Sequence, residues 1–210
     1  MQLDEAIQAG LESVRRNPLH ALSPYFRNLI YNCIGPLSLP KSRCIRVHLA
    51  ILVAKKVLPL WSETRPFDTR VEDIIELASA SMDQQTPDEC VKTKADAFWN
   101  WLVNDYGDRK EELSNEAYFA MATALEALYL SLGTDRFLNI EIDMNTTDHD
   151  LDPWCSDTPM YGAIAYAGRI SAKNSSVERR QAFWEWWLTD GIAEAILSCS
   201  SDVSRPRKGA

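Results

Sequence analysis

Apolar residues recur along this chain every three or four positions, almost without interruption, and that period predicts helix. Leu3, Ile7, Gly10, Leu11 and Val14 follow it, and Asn17-Pro18 ends the segment, because a residue before proline is driven out of the helical region. Ser23-Pro24 opens a second helix with proline at the first helical position; it carries Phe26, Leu29, Ile30 and Cys33 and stops at Gly35-Pro36. Leu39-Pro40 introduces the strongest pattern, from about Lys41 to Leu60. Ile45, Leu49, Leu52, Val53 and Val57 give that helix a wide apolar face, with Arg43, Arg46 and Lys56 on its other sides.

Capping signals divide the rest. Thr69-x-x-Glu72 reads as a capping box ahead of Ile74, Ile75, Leu77 and Ala78. Thr86-Pro87-Asp88-Glu89 combines a cap, a proline at the first position and a capping glutamate, and the helix it starts carries Val91, Phe98, Trp101 and Leu102. Ser114 caps a helix rich in Ala and Leu that Gly133 terminates. Thr158-Pro159 starts another, through Met160 to about Ile170, and Ser175-x-x-Glu178 caps the last, which reaches about Leu197. Residues 133–158 break the pattern. They hold seven acids (Asp135, Glu141, Asp143, Asp148, Asp150, Asp152 and Asp157) against one base, Arg136, with no helical period beyond a short extended piece at Phe137–Ile142. A structureless connection of that length in a compact domain is functional or disordered.

The final helix contains the most unusual run in the chain, Arg179-Arg180-Gln181-Ala182-Phe183-Trp184-Glu185-Trp186-Trp187-Leu188. Helical spacing puts Phe183, Trp184, Trp187 and Leu188 on one stripe, which predicts core. Glu185 and Trp186 are left turned partly away, and the paired arginine with the surplus ring points to a helix that also organises a surface.

These elements predict an all-α protein, a single compact domain of seven to eight helices over residues 1–199 with one long acidic loop. Residues 200–210, with Arg205, Arg207 and Lys208, are expected to form a disordered basic tail. A length of 210 residues and 46% hydrophobic content suit one domain with a sizeable core. Acids in the first five residues do not resemble a secretion signal. The least charged stretch, Ala117 to Thr134, carries Glu126 at its middle and reads as a buried helix, so no membrane association is expected. The five cysteines, Cys33, Cys44, Cys90, Cys155 and Cys199, include no Cys-x-x-Cys pair and are expected to be reduced thiols in a cytoplasmic protein. A net charge of −8 argues against a nucleic-acid surface, which needs a concentrated basic face, and favours basic partners.

Candidate chemistry is sparse. Asp148-x-Asp150-x-Asp152 begins like a calcium loop, but Pro153 and Pro159 occupy the positions of its required glycine and glutamate. His149-Asp150 is similar to the His-Asp dyad of helical metal-dependent phosphohydrolases, with His20, His48 and Asp190 as conceivable partners, yet it lies in a proline-flanked loop without facing helices. His48 itself sits among apolar helix residues and reads as a core or boundary histidine. Phosphate loops, nucleophile elbows, zinc patterns and Glu-x-x-His pairs do not occur. No catalytic residue, cofactor or metal site is therefore expected. The acidic stretch reads either as a solvated connection or as a recognition surface whose carboxylates steer a basic partner, with Trp154 as an internal plug or a binding hot spot.

Three segments carry a family resemblance. Leu39-Pro40-Lys41-Ser42-Arg43 leads into Ala50 through Val57-Leu58-Pro59-Leu60-Trp61. Asp152-Pro153-Trp154 and Asp157 lead into Tyr161-Gly162-Ala163-Ile164-Ala165-Tyr166-Ala167-Gly168. The arginine–tryptophan run comes third. In this order the chain resembles the immunity protein 5 family of bacterial polymorphic toxin systems over residues 39–197. It departs from that pattern at Arg169, where a small residue is usual, and at Asp190-Gly191-Ile192-Ala193 in place of Ala-Ile-Pro. The resemblance implies a cytosolic, non-enzymatic all-α protein that binds a cognate toxin domain and blocks it. The interface residues expected on this reading are Asp143, Asp148, Asp150, Asp152, Trp154, Asp157 and Trp186. The alternatives are a metal-dependent phosphohydrolase using His149 and Asp150, and a scaffold that self-associates through the tryptophan-rich helix.

Overall fold

The computed structural model describes residues 1–82, 88–105, 114–134, 142–148, 150–151 and 157–201. Among these the regular structure is all helical. In chain order the elements are α1 (Leu3–Arg16), α2 (Pro24–Ile34), α3 (Pro40–Thr64), α4 (Arg70–Met82) and α5 (Asp88–Asn100), which continues into a π-helical turn (Trp101–Asp105). They are followed by α6 (Asn115–Ser131), α7 (Thr158–Ala167) and α8 (Val177–Trp186). A second π-helical turn (Trp187–Gly191) joins α8 to α9 (Ile192–Ser201). The start signal at Thr86-Pro87, the extended piece at 137–141 and the tail from 202 lie outside the described residues.

Helix α3 is the axle. One side of it, Val47, Ala50, Ile51, Ala54, Val57 and Trp61, packs into a core shared with α4, α6 and part of α7. Ile45, Leu49 and Val53 pack into a second core built from α1, α2, α8 and α9. The sequence pattern indicated one wide face, but a helix buried between two cores has little polar surface to spare, so Arg46 is also buried, its guanidinium carbon 4.4 Å from the centre of the Tyr31 ring. The helix also runs past Leu60 to Thr64 with Pro59 inside it. Trp61 beyond the proline is fully buried and donates its indole N–H to the Asp68 carbonyl at 2.7 Å, which holds the last turn in place.

The helix over Ala117–Ser131 is buried nearly all round, as its composition predicts, because α3, α4 and α7 cover it. Ser114 caps it, accepting the Ala117 N–H at 3.1 Å. Helix α7 stops at Ala167 rather than at Ile170, because Gly168 follows with φ of +79°, a left-handed conformation that ends helices. The cap of α8 is Ser176, one residue later than the capping pattern suggested; its hydroxyl accepts the Arg179 N–H at 3.2 Å. Gly162 marks the closest approach between layers, since a methyl there would overlap Val53 of α3 and stand 3.0 Å from the Phe183 ring of α8.

The tryptophan run packs as its spacing predicts. Phe183, Trp184, Trp187 and Leu188 are fully buried, and Glu185 and Trp186 are half-buried. The thiol expectation is corrected for one pair: Cys44 near the start of α3 and Cys199 near the end of α9 form a disulfide, with Cα atoms 5.9 Å apart. Their sequence separation of 155 conceals the contact, and only the folding of α9 across α3 creates it. Cys33 and Cys90 are free.

Candidate functional site

Helix α2 has the sequence PYFRNLIYNCI, in which Arg27 is the only charged residue. Its apolar neighbours bury the helix, and the guanidinium goes with it, at 0% exposure. A buried charge must be paired and hydrogen-bonded. Arg27 meets that requirement with two carboxylates from the acidic segment. Nε donates to Asp157 Oδ2 at 3.0 Å, Nη2 to Asp148 Oδ1 at 2.6 Å, and Nη1 to the Leu22 carbonyl at 2.7 Å. The Trp184 ring lies 5.7 Å from the guanidinium carbon.

The electrostatics follow from that geometry. Burial works against the charge on Arg27, but Asp157 and Asp148 outweigh it and hold its pKa above the ordinary arginine value. Burial also pushes the Asp157 carboxyl up; Arg27 opposes that shift and the nearby Asp148 charge adds to it. Asp157 has a second task as the cap of α7, accepting the Met160 N–H at 3.3 Å. The acidic segment is thereby tied to the start of one helix and to the middle of another. Leu151, buried in the second core beside Trp184, and Ile142, packed against the same core, add apolar anchors.

Of the residues singled out from the sequence, Asp148 and Asp157 therefore turn inward. Asp143 and Asp150 are exposed. Asp143 Oδ1 accepts the backbone N–H groups of Asn145 and Thr146 at 2.8 and 2.9 Å and the Thr146 hydroxyl at 3.0 Å, and these bonds hold its carboxyl below the ordinary value. Asp150 Oδ2 accepts the Thr147 N–H and hydroxyl at 2.8 and 2.7 Å. Each acid thus closes a tight turn at the surface of the protein. Asp152, Trp154 and His149 lie outside the described residues. A cleft of about 480 Å³ runs beside this assembly, walled by Asp148, Leu151, Met160, Tyr161 and Trp184.

Trp186 stands apart. Two residues along a helix is a rotation of about 200°, so when Trp184 faces Arg27, Trp186 faces elsewhere. Its neighbour is Lys56 of α3, whose ammonium lies 4.2 Å from the ring centre and 5.5 Å from that of Tyr166. Burial lowers the Lys56 pKa, with Asp190 acting against the shift. The paired arginine divides in the same way. Arg180 is buried, donates to the Leu19 and Gly168 carbonyls at 3.1 Å each and to the Ser175 hydroxyl, and so ties the α1–α2 and α7–α8 connections together. Arg179 is exposed, 4.7 Å from the Tyr166 ring.

Sequence reasoning missed Arg27. Its signal was present: a lone charge in an otherwise uncharged helix has no local partner, and residues 133–158 hold seven acids against one base. Among the described residues, the grouping with metal-ligand chemistry is Cys44, His48 and Cys199; it includes neither Asp150 nor Asp190. No described helix is long and apolar enough to cross a membrane.

No curated protein matches the chain. Residues 7–194 match the family described as Immunity protein Imm5, a span that reaches from α1 into α9 and includes every residue of the Arg27 assembly. With a match over most of its length, the chain belongs to the immunity protein Imm5 family.

Proposed function

We propose that this protein neutralises a cognate toxin by binding it, without catalysis, and that the outward carboxylates of the acidic segment, Asp143 and Asp150 foremost, meet a basic surface on the toxin. The observation that carries this reading is the anchoring of the segment. Arg27, Asp148, Asp157 and Leu151 tie it to the body of the protein, and the Asp143 and Asp150 turns fix the carboxylates that remain outside. Preorganised charges avoid the ordering cost that a floppy acidic loop would incur on binding. They also steer encounter with an oppositely charged partner. Membership of an immunity-protein family supplies the partner class. Asp152 and Trp154 extend the proposed interface along the same segment. Trp186, on another side of α8, belongs to it only if the toxin wraps around that helix.

The test is co-expression with a candidate toxin domain, taken first from the gene that neighbours this protein's own. Wild-type protein is expected to rescue growth, and Asp143→Asn/Asp150→Asn to weaken rescue and slow association in a binding assay, most of all at low salt, where charges are least screened. Cells that die as readily with the wild-type protein as without it refute the reading for that toxin.

A further inference from the structure

Cys44 and His48 lie four residues apart on α3 and so share one face of it. Cys199 of α9 packs against that face. Both sulfurs and a ring nitrogen of His48 all lie within 4.8 Å of one another. Cys44 and His48 are half-buried and Cys199 is buried, so the cluster sits at the edge of the second core, screened from bulk water but reachable from it. In the disulfide form the two sulfurs have no thiolate to offer a metal. In the reduced form the same three side chains are a two-thiolate, one-imidazole donor set, the composition that favours zinc over calcium, magnesium or manganese.

The geometry is compatible. Thiolates bind zinc at about 2.3 Å and imidazole at about 2.0–2.1 Å, so neighbouring donors on a tetrahedral shell stand roughly 3.5–3.8 Å apart. The donor atoms lie within 4.8 Å of one another, and reduction frees the two sulfurs to rotate apart toward that spacing. The backbone is already placed, with Cys44 and Cys199 Cα atoms 5.9 Å apart and Cys44 and His48 one helical turn from each other.

We propose that the reduced protein binds one zinc ion through Cys44, His48 and Cys199, leaving the fourth tetrahedral position to a small ligand. The contact between the last helix and the central helix then has two mutually exclusive fasteners, a covalent one where thiols are oxidised and a metal one where they are kept reduced. His48 takes no part in the covalent bond of the first and is a ligand in the second, and this difference makes the proposal testable separately from any stabilising role of the cysteines.

The experiment uses full-length protein with Cys33, Cys90 and Cys155 changed to serine, reduced with a phosphine that does not compete for metal. Zinc is titrated in competition with a chromophoric chelator, and cobalt is used as a spectroscopic substitute. The expected result is one equivalent of zinc bound, with cobalt giving thiolate charge-transfer bands and the intense visible bands of a tetrahedral site. His48→Ala keeps both cysteines and still forms the disulfide; it is expected to lower zinc affinity by at least the roughly 10–100-fold that perturbing a metal ligand's surroundings costs. Unreduced protein and Cys199→Ser are expected to bind no stoichiometric metal. Reduced protein that takes up no zinc, or zinc affinity unchanged by His48→Ala, overturns the proposal.

Discussion

Replacing Arg27 by methionine tests whether the acidic segment is held by buried charge. Methionine keeps an unbranched apolar stem against Trp184 and removes the guanidinium alone. Lost with it are the bond to Asp157 at 3.0 Å, the pair with Asp148 at 2.6 Å and the bond to the Leu22 carbonyl at 2.7 Å. Asp157, whose side chain is 4% exposed, is then a buried carboxylate without its cation. Breaking a buried pair on one side costs about 3–5 kcal/mol, because the surviving charge has neither water nor partner. Urea unfolding of Arg27→Met, Asp157→Asn and the double variant closes a thermodynamic cycle. The double variant should be more stable than the sum of the single losses predicts by about 1–3 kcal/mol, the usual size of coupling between residues in one network.

The pH dependence has a definite sign. Burial already holds the Asp157 carboxyl above its ordinary value, and Arg27 is the main influence pulling it down. Without Arg27 it rises further. A carboxyl whose folded pKa exceeds its unfolded value of about 3.9 contributes stability that is fully present below that value and lost as pH rises through the folded pKa. The deficit of Arg27→Met should therefore be smallest in acid and widen toward neutral pH, and Asp157→Asn should flatten it. A loss below about 1 kcal/mol at neutral pH, or losses that add to within about 0.5 kcal/mol, would show that the pair is solvated and that the segment is not anchored there.

Trp184→Ala and Trp187→Ala should each cost about 3–5 kcal/mol in chemical denaturation, and Trp186→Ala less than half as much, since only the first two rings are fully buried. Gly162→Ala should cost at least about 1–3 kcal/mol, because the added methyl overlaps Val53 and presses on Phe183; a neutral melting temperature would mean that α7 can shift. Cys199→Ser, compared with wild type under non-reducing conditions, should lose up to roughly 5 kcal/mol, the chain-entropy value for a closed loop of about 155 residues. A difference under about 1 kcal/mol would show that the cross-link adds little to a fold that already holds α9 against α3.

Local patterning made the helices and the split of the tryptophan run legible, because a helix that buries one face writes its period into the chain. The departures came where a partner distant in sequence decides the outcome. The apolar period puts Arg46 on another side of α3, yet α3 has a core on both flanks and Tyr31 receives the guanidinium. The apolar pattern ends α3 at about Leu60, but burial of Trp61 carries it one turn further, to Thr64. Arg27 with Asp157 and Cys44 with Cys199 are contacts across separations of 130 and 155 residues, and no period records them. The candidate interface was legible as a region, from its excess of acids, but not as roles. Composition does not tell a carboxylate turned to Arg27 from one that closes an exposed turn.

That division of roles links the fold to the proposed activity. An all-acid loop would repel itself, and its carboxylates would stay together only once a basic partner arrived. Here Arg27 takes up two of them, Asp148 and Asp157, and leaves Asp143 and Asp150 at the surface. The one guanidinium offsets one of the two inner charges, which lowers the repulsion that the outer pair must overcome, and local backbone N–H groups lower it again. On the proposed reading, the inner acids serve the fold and the outer ones serve encounter. Substitutions at Asp148 or Asp157 should reduce toxin binding only in proportion to lost stability, whereas those at Asp143 or Asp150 should change association rate with the fold intact.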